Sequence, residues 1–376
     1  MRTIALLASV FALSVVSNAC TTETTPAATT TKPKTAKKKP ATDSTDGEHG
    51  STNTAGDGTG GTTTDVPTGE KLTAGTLAAT TLKGAHYIDT GDVVTIAPGT
   101  TITMGDATAA ITVKGTLKVT GASANHAKLT GDAWVGIIIA EGGKLDADGL
   151  DISGAATGIA TQAGNLDSTY KNGVMSAKTP FEMVAGSKLT IDHSKITATG
   201  GGSQTAGTFV ANYMDYDKGS GPGITMNDAA GTETITNSNL HGAGGGDYVI
   251  SNAAAKITVT RTTISGSHCA FHFSGSGTAA GTTAFTIDGV DVKNNGVGGM
   301  LYNSGAGPNE IKNSNFSNNN EYDISFGSNE NGTITFTNTF VTIPNEAGKQ
   351  TPAANIKEVT PADTKLPADQ VGAPAQ

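Results

Sequence analysis

The chain has 376 residues, 50 of them glycine, with 15% charged and 5% aromatic residues and a formal net charge of −9. Its only arginines are Arg2 and Arg261; such an acidic chain lacks the cationic stripe that displaces counterions from a phosphate backbone, which excludes nucleic acid as a partner. So few rings leave the interior to Ile, Val, Leu and Ala, and so many glycines point to repeated tight corners.

The first element is a leader. MRTIALLASVFALSVVSNAC carries Arg2, an apolar run from Ile4 to Val16, and small residues at Ser17 and Ala19 before Cys20. That run is too short for a permanent bilayer span and has the length of a secretory core, so residues 1–19 read as a signal peptide and the protein as exported. Cys20 stands where a bacterial lipobox places its acylated cysteine, although Ser17 replaces the usual leucine. Acyl chains on this thiol would bury about 0.8 kcal/mol per methylene, making the membrane a partner through lipidated Cys20. The alternative is plain cleavage after Ala19, which leaves a soluble protein.

Residues 20–70 are rich in Thr, Pro, Lys and Gly and nearly free of aliphatic side chains. Such a segment cannot bury enough apolar surface to offset chain entropy and is expected to be a disordered tether. Its lysines, Lys32, Lys34 and Lys37 to Lys39, read as a solvated charge run. The expected address is the cell envelope, lipid-anchored at the outer membrane, either periplasmic or surface-exposed.

From residue 71 to 345 one short word recurs: IDHSKI at 191–196, ITNSNL at 235–240, VTRTTI at 259–264 and IKNSNF at 311–316. Aligned on its last apolar position it gives Ile152, Val174, Ile196, Leu240, Ile264, Val292, Phe316 and Val341. A second word follows it at Ile159, Phe181, Ile224, Val249, Phe271, Met300 and Ile324. Two words drifting together at a period of about 22–28 residues, with alternating apolar positions and no helical spacing, predict an all-β parallel β-helix solenoid. The Ser or Thr column (Ser194, Ser238, Thr262, Ser314, Thr339) and the polar column before it (His193, Asn237, Arg261, Asn313, Asn338) fall where the strand must turn. Short hydroxyl and amide groups there hydrogen-bond to corner backbone and to their equivalents one turn away.

The interval from Ile196 to Leu240 is twice the usual step, which predicts one turn carrying an inserted loop at 197–221. In that loop Tyr213, Asp215, Tyr216 and Asp217 are the candidate ligand-binding residues: two amphipathic rings to stack on sugars, two carboxylates to accept hydroxyl hydrogen bonds. A loop folded back over the coil flank is the competing reading. Farther on, alternation in SHCAFHF places Cys269, Phe271 and Phe273 inward, so Cys269 is expected to be a buried thiol without a disulfide. An outward threonine column runs through Thr190, Thr234, Thr258, Thr286 and Thr335. Asp148, Asp192 and Asp288 share another outward column, spaced too widely to hold calcium, with Tyr170 expected between the first two. Residues 346–376 read as a flexible Pro- and Ala-rich tail.

The stretch from YIDTGDVVTIAPGTTITM to LDISGAATGI resembles the opening of right-handed parallel β-helix proteins of the pectate-lyase-like superfamily. The APGTTI turn, VKGTL, NHAKLT and the Trp-x-Gly-Ile strand at Trp134 to Ile137 carry that likeness. The resemblance implies a right-handed coil and a groove for polysaccharide, with either a basic residue beside a calcium ion or paired aspartates. Neither set is visible, so no catalytic, metal or cofactor residue is assigned. The expected function is a non-catalytic cell-envelope lipoprotein, a binding or structural module contacting polysaccharide or other envelope components. The alternatives are a polysaccharide lyase or glycoside hydrolase with a divergent site, and a surface adhesin.

Overall fold

The structure is a computed structural model that describes residues 69–121, 124–226, 228, 230–242, 248–252, 256–274, 284–302, 309–321, 323–326, 334–341, 356–357, 362 and 364–375. Every regular element among them is a β-strand. Each strand pairs in parallel with its equivalent one turn on, as Lys188–Asp192 does with Thr208–Asn212 and Lys195–Ala198 with Asp215–Asp217. The chain is therefore an all-β parallel β-helix solenoid.

A typical turn has three strands, here Lys188–Asp192, Lys195–Ala198 and Ser203–Thr205, which belong to the first, second and third ribbons. The first ribbon is a 13-stranded sheet. The other two form one 22-stranded sheet, because Leu150–Thr161 and Val174–Met183 run unbroken through the corner between them. Alternation decides what lies inside: Leu189, Phe209, Ile257 and Phe285 form one inward file of the first ribbon, each at most 1% exposed. No single turn can bury such a file alone, so the core exists only as a stack.

The corner between the first and second ribbons explains the repeated word. Asn172, His193, Tyr213, Asn237, Arg261, Asn313 and Asn338 all occupy it with φ between 44 and 51°, a left-handed conformation that short polar side chains tolerate better than β-branched ones. Their amides donate to the carbonyl one turn on, His193 to Asn212, Asn237 to Thr260 and Arg261 to Asp288, each at 3.0 Å. The next residue closes the corner: the hydroxyls of Ser194, Ser238, Thr262 and Ser314 donate to the carbonyl two residues back at 2.8, 2.7, 2.9 and 2.7 Å. Both columns thus serve the backbone, as the spacing predicts. Replacing Asn237 with valine is expected to cost about 1–2 kcal/mol, while glycine leaves stability nearly unchanged. Urea unfolding midpoints of the two variants check this.

Several expectations need correction. Residues 197–221 are no inserted loop: they contain the strands Ser203–Thr205, Thr208–Asn212 and Asp215–Asp217, which make an ordinary turn. Tyr216 is the missing column residue, in register with Ile196 before it and Leu240 after it. A tyrosine in the apolar file, Met214 in the hydroxyl column and Tyr213 at the left-handed corner disguised the word. Register also falls on Met175 and Ile250 rather than Val174 and Val249, and on Gly299 rather than Met300. Lys171, not Tyr170, stands between Asp148 and Asp192, since Tyr170 points inward. The outward threonine file holds in register, interrupted by Val210 between Thr190 and Thr234 and by Glu310 between Thr286 and Thr335. Cys269 is buried, as alternation predicts. Of the tail expected to be flexible, residues 364–375 form a strap against the solenoid, seen in the bonds of Leu366 to Asn315 and of Gly372 to Gly289. Cys20 and the tether through residue 68 lie outside the described residues.

Candidate functional site

On the outward side of the second ribbon a group of polar residues meets across adjacent turns. Asp215 and Asp217 alternate with the buried Tyr216 and so face outward together, about 7 Å apart along the strand. One turn on, parallel register sets Asn239 beside Asp215 and His241 beside Asp217. Asn239 Nδ2 donates to Asp215 Oδ1 at 2.9 Å. His241 lies between both carboxylates, with Nε2 3.1 Å from Asp215 Oδ1 and Nδ1 3.9 Å from Asp217 Oδ1. The shorter contact assigns the imidazole proton facing Asp215 to Nε2. Asp217 Oδ1 also accepts the Gly219 amide at 2.8 Å. On the preceding turn, Lys195 and Thr197 are in register with the two aspartates.

Tyr213 flanks this patch at the corner. Its ring stacks on His193 with centroids 4.5 Å apart and planes inclined by 21°. His193 Nδ1 in turn lies 3.0 Å from Asp192 Oδ1, which also accepts Asn212 Nδ2 at 2.9 Å. The stack is held from both sides by turn geometry, so the rings sit on a rigid ridge rather than a loop.

Of the four residues singled out from the sequence, Asp215 and Asp217 share the outward face, Tyr213 stands at the corner before them, and Tyr216 is inside. Tyr216 is 0% exposed, with its hydroxyl 3.1 Å from Ser203 Oγ inside the coil; burial pushes its phenol up, and it can contact no ligand. Sequence reasoning gave His193 a corner role only, and missed Asn239 and His241. The only signal for them was position: Asn239 and His241 follow the aspartates by one turn, which is readable only once the 197–221 stretch is recognised as a turn.

Chemically, the patch offers anionic acceptors, amide and imidazole donors and an aromatic edge at the spacing of adjacent strands. Among the described residues no group of three or more His, Cys, Asp or Glu is placed to hold a metal ion. A further histidine–carboxylate pair, His126 Nδ1 to Asp151 Oδ1 at 2.6 Å, lies farther back along the coil. Asp151 Oδ1 there also accepts the Val174 amide at 3.2 Å, tying that pair into the strand backbone.

No family model, no curated protein and no solved structure matches this chain.

Proposed function

We propose that this protein is a non-catalytic binding module of the cell envelope, whose rigid β-helix presents the Asp215, Asp217, Asn239, His241 and Tyr213 surface to a polysaccharide. The observation that carries this reading is the convergence of those donors and acceptors on one outward strand face, which suits the alternating hydroxyls of a sugar chain. Acylation at Cys20 would anchor the module, and the tether would hold it away from the bilayer. The likeness to pectate-lyase-like β-helices stays part of this proposal. It is supported by the Trp134 motif: the indole is fully buried and its Nε1 donates to the Ser153 carbonyl at 2.9 Å, which joins adjacent turns.

One observation favours a second reading. The two aspartates face outward two residues apart on one strand, a pair of carboxylates of the kind that glycosidases use. They project from the same strand, however, and each already accepts protein hydrogen bonds, so they are set to receive hydroxyl protons rather than to flank a scissile bond.

A glycan array probed with the full chain tests both. Asp215→Ala and His241→Ala are each expected to weaken binding at least about tenfold, a loss of about 1.4 kcal/mol. Tyr216→Phe, altered only inside the coil, should bind as the parent does. Equal binding by all variants would remove the patch from consideration, and release of reducing ends from a bound glycan would replace the binder with a hydrolase.

A further inference from the structure

Beyond the patch, the same outward face continues through Thr263, Asp291 and Asn315, which succeed Asn239 in register. On these later turns it is covered. Asn315 is 0% exposed, Ser317 3% and Asp291 7%, although all three face outward. The cover is the strap, residues 364–375, which crosses the turns in the direction opposite to the coil's growth.

The strap is held chiefly by its main chain, with one side-chain bond from Lys365 Nζ to Ser317 Oγ at 3.0 Å. Asn315 Nδ2 donates to the Leu366 carbonyl and its Oδ1 accepts the Leu366 amide, both at 2.9 Å. Arg261 Nη1 donates to the Asp369 carbonyl at 2.8 Å. The Gly372 amide donates to the Gly289 carbonyl at 2.8 Å and the Ala373 amide to Thr263 Oγ1 at 3.0 Å. Two features alone depend on the strap's sequence at its anchor point. Val371 is 4% exposed. Gly372 has φ +78°, and a Cβ there would lie 2.8 Å from Thr263 Oγ1 and 3.2 Å from Asp291 Cβ. A surface that reads backbone groups plus an apolar residue followed by glycine accepts many extended peptides.

An independent observation shows that the strap fills this surface incompletely. Asp291 lies beneath Gly372 with Oδ2 accepting Lys293 Nζ at 2.6 Å, yet its buried Oδ1 has no hydrogen-bond partner. A buried acceptor left unmade is costly, so an occupant that brings a donor to Oδ1 gains an interaction the strap lacks.

We infer that the outward face from Thr263 to Asn315 is a peptide-binding surface, and that residues 364–375 are its displaceable occupant in cis. The partner it fits is an extended polypeptide segment with an apolar–glycine pair and a donor reaching Asp291. This does not depend on the polysaccharide reading, which concerns the uncovered turns before it.

The test uses the full chain and a fluorescent synthetic peptide of residues 364–375. The parent chain should bind it weakly, because the strap competes at the high effective concentration of a tethered segment. Gly372→Val, which cannot seat its own strap, should bind the peptide about tenfold more tightly or better, and adding Asn315→Ala should abolish that gain. Gly372→Val binding no tighter than the parent, or a gain that survives Asn315→Ala, would overturn the inference. If the variant loses its β-sheet signal, hydrogen exchange on the parent decides. A displaceable strap requires the Leu366, Gly372 and Ala373 amides to exchange faster than the corner amide of Asn237, and excess unlabelled peptide to accelerate them further. Equal protection of strap and corner would refute it.

Discussion

Alanine in place of Phe273 is expected to lower the unfolding free energy by about 3–5 kcal/mol. Phe273 is 1% exposed and central to an aromatic group that crosses the coil, with its ring centroid 5.3 Å from Phe271 on its own strand and 5.1 Å from Phe285 on the first ribbon. Truncation removes both contacts and leaves a cavity that stacked sheets on either side cannot close, because each is fixed by hydrogen bonds to its neighbours. The effect should also be local in its consequences. Solenoid stability is a sum over turns and their interfaces, so weakening this turn should uncouple the later turns from the earlier ones. Hydrogen exchange under rising urea is expected to show Asp291–Lys293 and Asn309–Lys312 opening before Lys188–Asp192 in the variant. A loss below about 1 kcal/mol, or simultaneous opening of all these strands, would contradict this account of the core.

Removing the carboxyl of Glu233 should stabilise the protein, and increasingly so toward alkaline pH. Glu233 is 0% exposed and occupies the inward file between Phe209 and Ile257. Its Oε2 accepts the Thr205 hydroxyl at 2.7 Å, and its Oε1 has no partner. Burial, opposed by the Thr205 bond and reinforced by the nearby Asp228 charge, pushes this carboxyl up to about 8. The unfolded chain releases the same proton near 4.5. Between these values the folded state holds the extra proton, so the contribution to stability is fully present below about 4.5, falls as pH rises and is lost by about 8. The slope is on the order of 1 kcal/mol per pH unit, several kcal/mol across the window. Glu233→Gln should flatten that part of the stability–pH curve, and Glu233→Leu should flatten it and also restore the apolar file. Parent and Glu233→Gln curves running parallel from pH 5 to 8 would show that the carboxyl is not held neutral in the fold.

The two residues also mark where reading the chain succeeded and where it stopped. Phe273 was assignable to the interior because alternation along Cys269, Phe271 and Phe273 is a property of one strand. For Glu233 the same alternation gives the direction, opposite to Thr234, but only register places it between Phe209 and Ile257. The candidate site divides in the same way. Asp215 and Asp217 are recognisable in the sequence as a polar pair, but Tyr216 between them reads there as a ligand contact. Its burial follows from the file it shares with Ile196 and Leu240.

The all-β coil, its period and its polar corners were determined by the sequence alone. Alternation and the recurrent Asn-Ser or Arg-Thr step are local: they follow from the twofold period of a strand and from the few side chains that tolerate a left-handed corner. The partnership of His241 with Asp215, the stacking of Tyr213 on His193 and the seating of residues 364–375 over Asp291 were decided only by the tertiary structure. Each depends on which residues of separate turns come to lie side by side, and a shift of one residue in parallel register would turn every one of these side chains to the opposite face.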